Sequence, residues 1–178
     1  MPEITPAAPA LVMDFVNTLD IETGSDAIDS PVALRRWIEQ RLGTRLRSVD
    51  EAAWHTMIEA RESLRDVLAS HSGAELSRPA LRQLNRAGKS AEIRPQWDDA
   101  GTATFEPHDA GAYGALGRIF SAVVTAQSDG TWDRLKVCWA EDCRYAFYDH
   151  SKNRSGRWCT MRVCGNRAKT RTYRERHG

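Results

Sequence analysis

Residues 138–164 read CWAEDCRYAFYDHSKNRSGRWCTMRVC and contain the chain's four cysteines, Cys138, Cys143, Cys159 and Cys164. Their spacing is C-x4-C-x15-C-x4-C, which is two close pairs separated by an insert of hairpin size. Such pairs allow four sulfur atoms to converge on one tetrahedral ion, and a site made of four protein thiolates has no open position for catalysis. The pattern therefore predicts one structural zinc ion, Zn²⁺, per chain.

Disulfide bonds and a free reactive thiol are the alternatives to zinc. Disulfides are typical of exported proteins, and Met1–Pro9 has neither the basic start nor the apolar run of a signal peptide. The sequence also has no apolar stretch of about 18 residues, the length that a membrane span requires. We therefore expect a cytoplasmic protein without a membrane segment, in a reducing compartment that favours zinc.

The residues around the cysteines predict a treble-clef-like zinc finger. Arg144–Tyr148 is rich in strand-forming residues, and Asp149–Gly156 is rich in turn-forming ones. Thr160 can cap a helix from about Met161 to Glu175, which would deliver the last ligand. A module this small rarely buries a sufficient core of its own, so the metal is expected to stabilise it.

The charge of the chain is distributed unevenly. Residues 131–178 contain 12 Lys/Arg and 5 Asp/Glu, a balance of +7, whereas residues 1–130 contain 13 and 19, a balance of −6. This asymmetry indicates either a polyanionic partner for the C-terminal part or a contact between the two parts.

Basic residues on the predicted last helix favour nucleic acid as that partner. Arg167, Arg171 and Arg174 share one face at i, i+4 and i+7, and such side chains suit phosphate contacts. A protein contact or a solvated helix end whose basic residues complement the helix dipole would explain the same pattern. The predicted nucleic-acid-binding residues are Arg154, Arg157, Asn166, Arg167, Lys169, Arg171 and Arg174.

Residues 1–130 predict a mainly helical domain with one small β-hairpin, which is an α+β fold. Leu11–Asp20 predicts a short helix or an extended segment. Ser30-Pro31 and Gly43 mark the ends of a helix, and a capping box at Ser48–Glu51 predicts a longer one to about residue 71. Two further helices are expected at Ser77–Gly88 and before Ser128, with a hairpin between them around residues 98–101. The predicted domains are therefore residues 1–130 and residues 131–178.

Arg61 and a set of glycines stand out in this helical part. Arg61 falls on an otherwise apolar helix stripe, where it either pairs with an acidic residue or faces a pocket. Gly111, Gly114 and Gly117 recur every third residue of the last predicted helix, which indicates close packing of a neighbour. That glycine face, or Trp37 and Trp54 if exposed, could form a homodimer contact.

The segment Cys164-Gly-Asn-Arg167, with Arg157-Trp-Cys-Thr160 and Phe147-Tyr-Asp149 before it, resembles the CGNR zinc-finger family. The preceding part resembles the ABATE domain that usually accompanies this finger, at Asp14–Asp20 and in the Arg61-Glu-Ser-Leu64 and Leu84-Asn85 segments. The resemblance covers nearly the whole chain. It implies a bacterial transcription regulator, sometimes described as stress-induced.

The resemblance also bears on Arg61, because the arginine of a family segment falls on this residue. We therefore hypothesise that Asn17, Arg61 and Asn85 line a polar site that binds a small anionic ligand. The favoured function is a ligand-responsive regulator that binds DNA. RNA binding and a protein-interaction adaptor remain alternatives. The sequence has no G-x-S-x-G, Walker A, H-E-x-x-H or G-x-G-x-x-G motif, so no enzyme is predicted.

Overall fold

The computed structural model describes residues 4–108 and 110–177, without the side chains of residues 172, 176 and 177. In chain order, the elements are α1 (Ala7–Val16), β1 (Leu19–Asp20), β2 (Ser25–Asp26), α2 (Pro31–Leu42), α3 (Glu51–Ser70), α4 (Arg78–Ala91), β3 (Ile93–Trp97), β4 (Ala103–Pro107), α5 (Ala112–Ser128), a 3-10 turn (Trp132–Arg134), β5 (Leu135–Val137), β6 (Ala146–Tyr148), a π-helical turn (Met161–Gly165) and α6 (Asn166–His177). None of the helices in these ranges has the length and hydropathy that a membrane crossing requires.

Side-chain caps define the ends of the helices in the N-terminal part. Ser30 accepts a hydrogen bond from the amide of Ala33, and Gly43 ends α2 in the left-handed conformation at φ 68°. Ser77 caps α4 in the same way. These contacts confirm the predicted boundaries of α2 and the predicted start of α4.

Two predicted helix starts are wrong. Asp50, and not Ser48, caps α3, because its carboxylate accepts a hydrogen bond from Ala53 N at 2.7 Å. The first helix begins at Ala7 and ends at Val16, so the stretch predicted as helical or extended is divided between α1 and β1. The chain turns between β1 and β2, where Asp20 Oδ1 accepts hydrogen bonds from the amides of Glu22 and Thr23.

α5 lies at the centre of the fold, in contact with α1, α4 and the β3–β4 hairpin. This position follows from its composition, because α5 carries small or aliphatic residues over most of its surface. The helices enclose one core, whose fully buried side chains include those of Phe15, Leu34, Ile38, Met57, Leu116 and Ile119. The mainly α fold with small hairpins is therefore confirmed.

The close approach predicted for the glycine face of α5 occurs at Gly117, but the neighbour belongs to the same chain. A Cβ atom at Gly117 would lie 2.9 Å from both the carbonyl oxygen of Ala91 and the Cβ of Pro107. Trp37 and Trp54 are also partly buried against the core. Because Gly117 packs against its own chain and the two tryptophans are not exposed, neither observation supports the homodimer contact, which stays a prediction.

The C-terminal part shares its core with the helices. β5 and β6 pair in antiparallel register from Leu135↔Tyr148 to Val137↔Ala146, and Leu135, Val137 and Ala146 are buried in the same cluster as α1, α3 and α5. The division of the chain at residue 130 therefore stays a prediction. The first hairpin of the finger is packed directly on the helical part.

We predict opposite effects for two glycine substitutions. Gly117→Ala should lower the free energy of unfolding by about 1–3 kcal/mol, because the added methyl group overlaps backbone and ring atoms. Gly88→Ala in α4 is the control, since nothing lies within 4 Å of its new Cβ. It should raise stability by roughly 0.5–1 kcal/mol through helix propensity. Urea denaturation measures both, and equal effects would contradict the packing described for α5.

Candidate metal centre and basic helix

Two short structures position the four cysteines. Cys138 follows β5, and Cys143 closes a tight turn in which its amide donates to the carbonyl of Ala140 at 2.9 Å. Cys159 precedes the π-helical turn, and Cys164 lies within it. Thr160 caps that turn by accepting a hydrogen bond from Val163 N at 3.2 Å, as the sequence predicted. The turn after β5 and the π-helical turn therefore bring the two cysteine pairs together.

The distances between the sulfur atoms fit a tetrahedral metal ion. All four Sγ atoms lie within 4.8 Å of one another. Cys143 and Cys159 are 3.7 Å apart, and Cys159 and Cys164 are 3.6 Å apart. A disulfide needs about 2.05 Å, whereas zinc–sulfur bonds of about 2.3 Å in a tetrahedron place the sulfurs roughly 3.8 Å apart. The arrangement therefore suits zinc and not a disulfide.

Burial makes two of the four thiols, those of Cys143 and Cys159, poor acids in the absence of a cation. It raises the pKa of Cys143 to about 11, and the charge of Cys138 adds to this rise. Burial also raises the pKa of Cys159, followed by the charge of Cys138. A bound divalent cation would offset this cost by compensating the thiolate charges, so metal binding must release protons.

Arg167 contacts both the metal centre and the N-terminal part. Its Nη2 donates to Cys164 Sγ at 3.3 Å, and its Nη1 lies 2.7 Å from Glu22 Oε1 and 3.4 Å from Asp142 Oδ2. The hydrogen bond to Cys164, followed by the one to Glu22, raises the pKa of Arg167. The pKa of Cys164 is lowered because the hydrogen bond from Arg167, with those of the other cysteines, outweighs burial. Arg167 therefore stabilises a thiolate ligand and joins the finger to the β1–β2 turn.

A buried ion pair fixes the turn between β6 and the second cysteine pair. Lys136 donates to Asp149 Oδ2 at 2.8 Å and also to the carbonyl of Arg154. Asp149 accepts further hydrogen bonds from the amides of Ser151 and Gly156. Although burial opposes ionisation, these hydrogen bonds, led by that of Lys136, hold the pKa of Asp149 well below its usual range. The turn is therefore defined by backbone bonds to one carboxylate.

The residues predicted to bind nucleic acid fall into two groups: those that contact another side chain, and those that are exposed on α6. Arg154 lies 3.7 Å from Asp133, Arg157 stacks over the Trp139 ring at 4.3 Å, and Arg167 is paired as described. The others are exposed on or beside α6: Asn166, Lys169, Arg171 and Arg174.

Arg162 is a basic residue that the sequence reasoning missed. It is exposed in the π-helical turn, and with Arg171 and Arg174 it lines a groove of about 670 Å³ along α6. Its carbonyl accepts a hydrogen bond from the Asn166 side chain at 3.1 Å. The i, i+4 spacing from Arg162 to Asn166 was a signal that could have identified it.

The proposed anion-binding residues serve other contacts. Asn17 bridges to β6, donating to Ala146 O and accepting from Ala146 N, both at 2.8 Å. Arg61 is buried and donates to Asp26 at 2.7 Å and to Glu62 at 2.8 Å, which is the structural alternative considered for it. Asn85 is exposed on α4. The anion site formed by these three residues therefore stays a prediction that these contacts do not support.

Comparison with protein families gives two matches. Residues 9–130 match the sequence model of the ABATE family, described as "Putative stress-induced transcription regulator". The chain belongs to the ABATE family. Residues 134–177 match the CGNR zinc finger, so this ABATE protein carries the finger after its helical part. The two families are of regulator and zinc-finger type. No curated protein matches the chain.

Sulfur geometry and family together assign the metal. Cys138, Cys143, Cys159 and Cys164 of this ABATE protein lie close together within a CGNR zinc finger and fit one structural zinc ion. Bound there, zinc would cross-link the Cys138–Cys143 knuckle to the start of α6. The four cysteines would occupy all four positions of a tetrahedral zinc ion, so its role is structural.

We predict one zinc ion per chain in the purified protein, measured by elemental analysis against protein concentration. Cys143→Ser should abolish stoichiometric zinc and lower the thermal unfolding temperature, because three ligands retain the ion poorly and leave the finger without its cross-link. Ser90→Ala, which changes an exposed side chain of α4 outside the sulfur cluster, is the control. Full zinc occupancy in Cys143→Ser would contradict the assignment.

We also predict that Arg167→Gln weakens zinc binding by about tenfold, since the loss of an outer hydrogen bond to a metal ligand typically costs 10–100-fold. Arg171→Gln, on the exposed side of the same helix, should leave zinc affinity unchanged. Competition with a chromophoric chelator at fixed pH measures both variants. Identical zinc affinities would show that the Arg167–Cys164 contact contributes nothing to the metal site.

Proposed function

We propose that this protein is a DNA-binding regulator whose zinc finger contacts the phosphate backbone through the basic face of α6. We define that face as Arg162, Arg171 and Arg174, which line one groove along α6. One observation carries the proposal: all three side chains are exposed, and none forms an ion pair within the described residues. Unpaired cations presented together on a helix are what binding to phosphates requires.

The proposed contact set differs from the one predicted from sequence. Arg167 is excluded from the basic face because Glu22 and Asp142 already neutralise it. Arg154 is weakened as a candidate by its contact with Asp133. Asn166 and Thr170 lie between the basic residues and bond to carbonyls of their own helix. Their hydroxyl and amide groups can accept or donate one further bond to a phosphate or a base.

Zinc supports this function indirectly. The basic face begins two residues before Cys164, and the π-helical turn that contains this ligand leads directly into α6. Fixing Cys164 therefore fixes the orientation of the first turn of the helix. A helix with net positive charge would otherwise gain little from packing, because its mean hydropathy is low and most of its surface is exposed.

Single-stranded RNA is a second candidate because of an exposed aromatic group. Trp139 is 45% exposed, and its ring carries the guanidinium of Arg157 on one face at 4.3 Å. Tyr145 is exposed to a similar degree. Exposed aromatic rings beside basic residues can stack unpaired bases. This reading predicts that Trp139→Leu weakens binding, whereas the DNA proposal predicts no effect.

The test is a titration of a labelled random-sequence duplex, followed by fluorescence anisotropy at several salt concentrations. Binding should weaken steeply as salt rises, because each phosphate contact contributes a slope of about 0.9. Arg171→Ala/Arg174→Ala should reduce the slope by about 1.8, since two contacts are lost. The matched control is Arg78→Ala/Arg82→Ala, which removes two exposed arginines from α4.

The outcomes separate the candidate functions. Equal slopes for the two double variants would contradict the basic face as the contact surface. Tighter binding to poly(U) than to the duplex, with sensitivity to Trp139→Leu, would favour RNA. If zinc-loaded protein binds neither polymer, a protein contact and a solvated basic helix end are the two explanations of the exposed arginines that are left.

A further inference from the structure

A cleft of about 460 Å³ lies where the helical part meets the zinc finger. One wall comes from the N-terminal part and includes Met13, Asp20 and Glu22. The other wall comes from the finger and includes Tyr145, Phe147 and Val163. We call this cavity the junction cleft. Neither the proposed DNA contact nor the anion hypothesis uses it.

The finger wall of the junction cleft is apolar and aromatic, and part of it is open to solvent. Tyr145 is 43% exposed and Val163 is 49% exposed, which is unusual for large apolar side chains beside a rigid metal centre. At the edge of the cleft, the ring of His150 packs edge-on against Tyr148 at 4.8 Å. Aromatic faces on one side of a concave site suit a flat apolar group or a cation.

The charges around the junction cleft are negative. Asp20 and Glu22 line it, and among the described lining residues none is lysine or arginine. The charge of Glu22 is compensated by its ion pair with Arg167. Asp20 has no such partner: its Oδ1 accepts two backbone amides, and within the described residues its Oδ2 accepts no hydrogen bond. A carboxylate with one oxygen that accepts no hydrogen bond within the described residues therefore lines the same cleft as Tyr145 and Phe147.

The metal site adds to this negative potential. Cys143, Cys159 and Cys164 all contribute to the lining of the cleft. Four thiolates and one Zn²⁺ carry a formal charge of −2, because four negative charges are added to two positive ones. Arg167 offsets part of this charge through its bond to Cys164. An anion in the junction cleft would be repelled, and a cation would be attracted.

We propose that the junction cleft binds a small amphipathic cation, namely an ammonium group attached to an aromatic ring. The ring would pack on Tyr145, Phe147 and Val163, while the ammonium group would pair with Asp20 Oδ2. Cation–π contact with the tyrosine ring adds to this pairing. The ligand class is opposite in charge to the one predicted for Asn17, Arg61 and Asn85, and the proposal does not depend on DNA binding.

Three probes of matched size test the charge preference: 4-phenylbutylamine, 4-phenylbutan-1-ol and 4-phenylbutyrate. Titration of zinc-loaded, ¹⁵N-labelled protein at pH 7 by NMR gives both the affinity and the location of binding. The amine is protonated at this pH, as a lysine side chain is. We expect it to shift amides of residues 145–148 and 160–164, and to bind about tenfold more tightly than the alcohol. The carboxylate should cause no shift at these residues.

Two variants with matched controls test the residues. Asp20→Asn keeps the Oδ1 acceptor of the turn and removes the charge, so amine affinity should fall by about tenfold, to that of the alcohol. Tyr145→Leu should weaken amine binding by about fivefold. Asp99→Asn and Phe105→Leu, which alter an exposed acid and an exposed aromatic of the β3–β4 hairpin, should change neither affinity.

The proposal is overturned by any of three results in the wild type, so it does not depend on the variants folding. These are carboxylate binding as tight as that of the amine, equal affinity for the amine and the alcohol, and shifts centred on the cavity lined by Trp97 and Arg118. For the variants, retained zinc and an unchanged spectrum outside the cleft confirm folding. Full amine affinity in a folded Asp20→Asn protein would also overturn it.

Discussion

The buried guanidinium of Arg65 connects the segments from which this protein is built. Its side chain is fully buried in α3 and donates to the carbonyl of Val16 at 2.6 Å and to that of Arg144 at 2.9 Å. It also contacts Leu19 O and the carboxylate of Glu62. Burial lowers the pKa of Arg65, and the charge of Glu62 opposes this. A buried cation is tolerated only when its donors are satisfied, so these carbonyls must stay in place.

The position of the metal site follows from this constraint. Arg144 directly follows Cys143 and adopts the left-handed conformation at φ 45°, which a non-glycine residue rarely does. Its carbonyl thereby reaches Arg65, and its side chain lies 2.8 Å from Asp66 on the same helix. The finger is thus held on α3 at Arg144 through both its carbonyl group and its side chain. Asn17 adds two further hydrogen bonds to β6, so the first pair of zinc ligands is positioned by the helical part.

Local features of this protein could be predicted from the sequence, because their causes are local. The cysteine spacing predicted the metal ligands, and Ser30, Ser77 and Thr160 predicted helix starts. The turn-forming residues 98–101 predicted the β3–β4 hairpin. The error at α3 arose because two residues that can cap, Ser48 and Asp50, lie two positions apart. Which of them caps depends on the direction in which the chain enters the helix.

Partners distant in sequence could not be predicted. The sequence singled out Arg61 in α3 as a residue that pairs with an acid or faces a pocket. Arg65, one turn later in α3, makes contacts with residues farther along the chain. Glu22 and Arg167 are 145 residues apart, and no periodicity connects them. The periodicity that placed Arg167 on a basic helix face predicted the helix correctly. It carried no information about Glu22 in the turn between β1 and β2, which pairs with Arg167. Pairing of this kind depends on the tertiary arrangement.

The two explanations offered for the uneven charge are compatible in this fold. Contact between the parts accounts for Arg144 with Asp66 and for Arg167 with Glu22. These pairs use two of the finger's arginines, Arg144 beside Cys143 and Arg167 bonded to Cys164, and, among the described residues, leave the exposed basic residues of α6 without acidic partners from the helical part. The acidic part therefore orients the finger through a few arginines near the metal. Of the remaining arginines, Arg162, Arg171 and Arg174 are exposed to solvent, where a polyanion would have access.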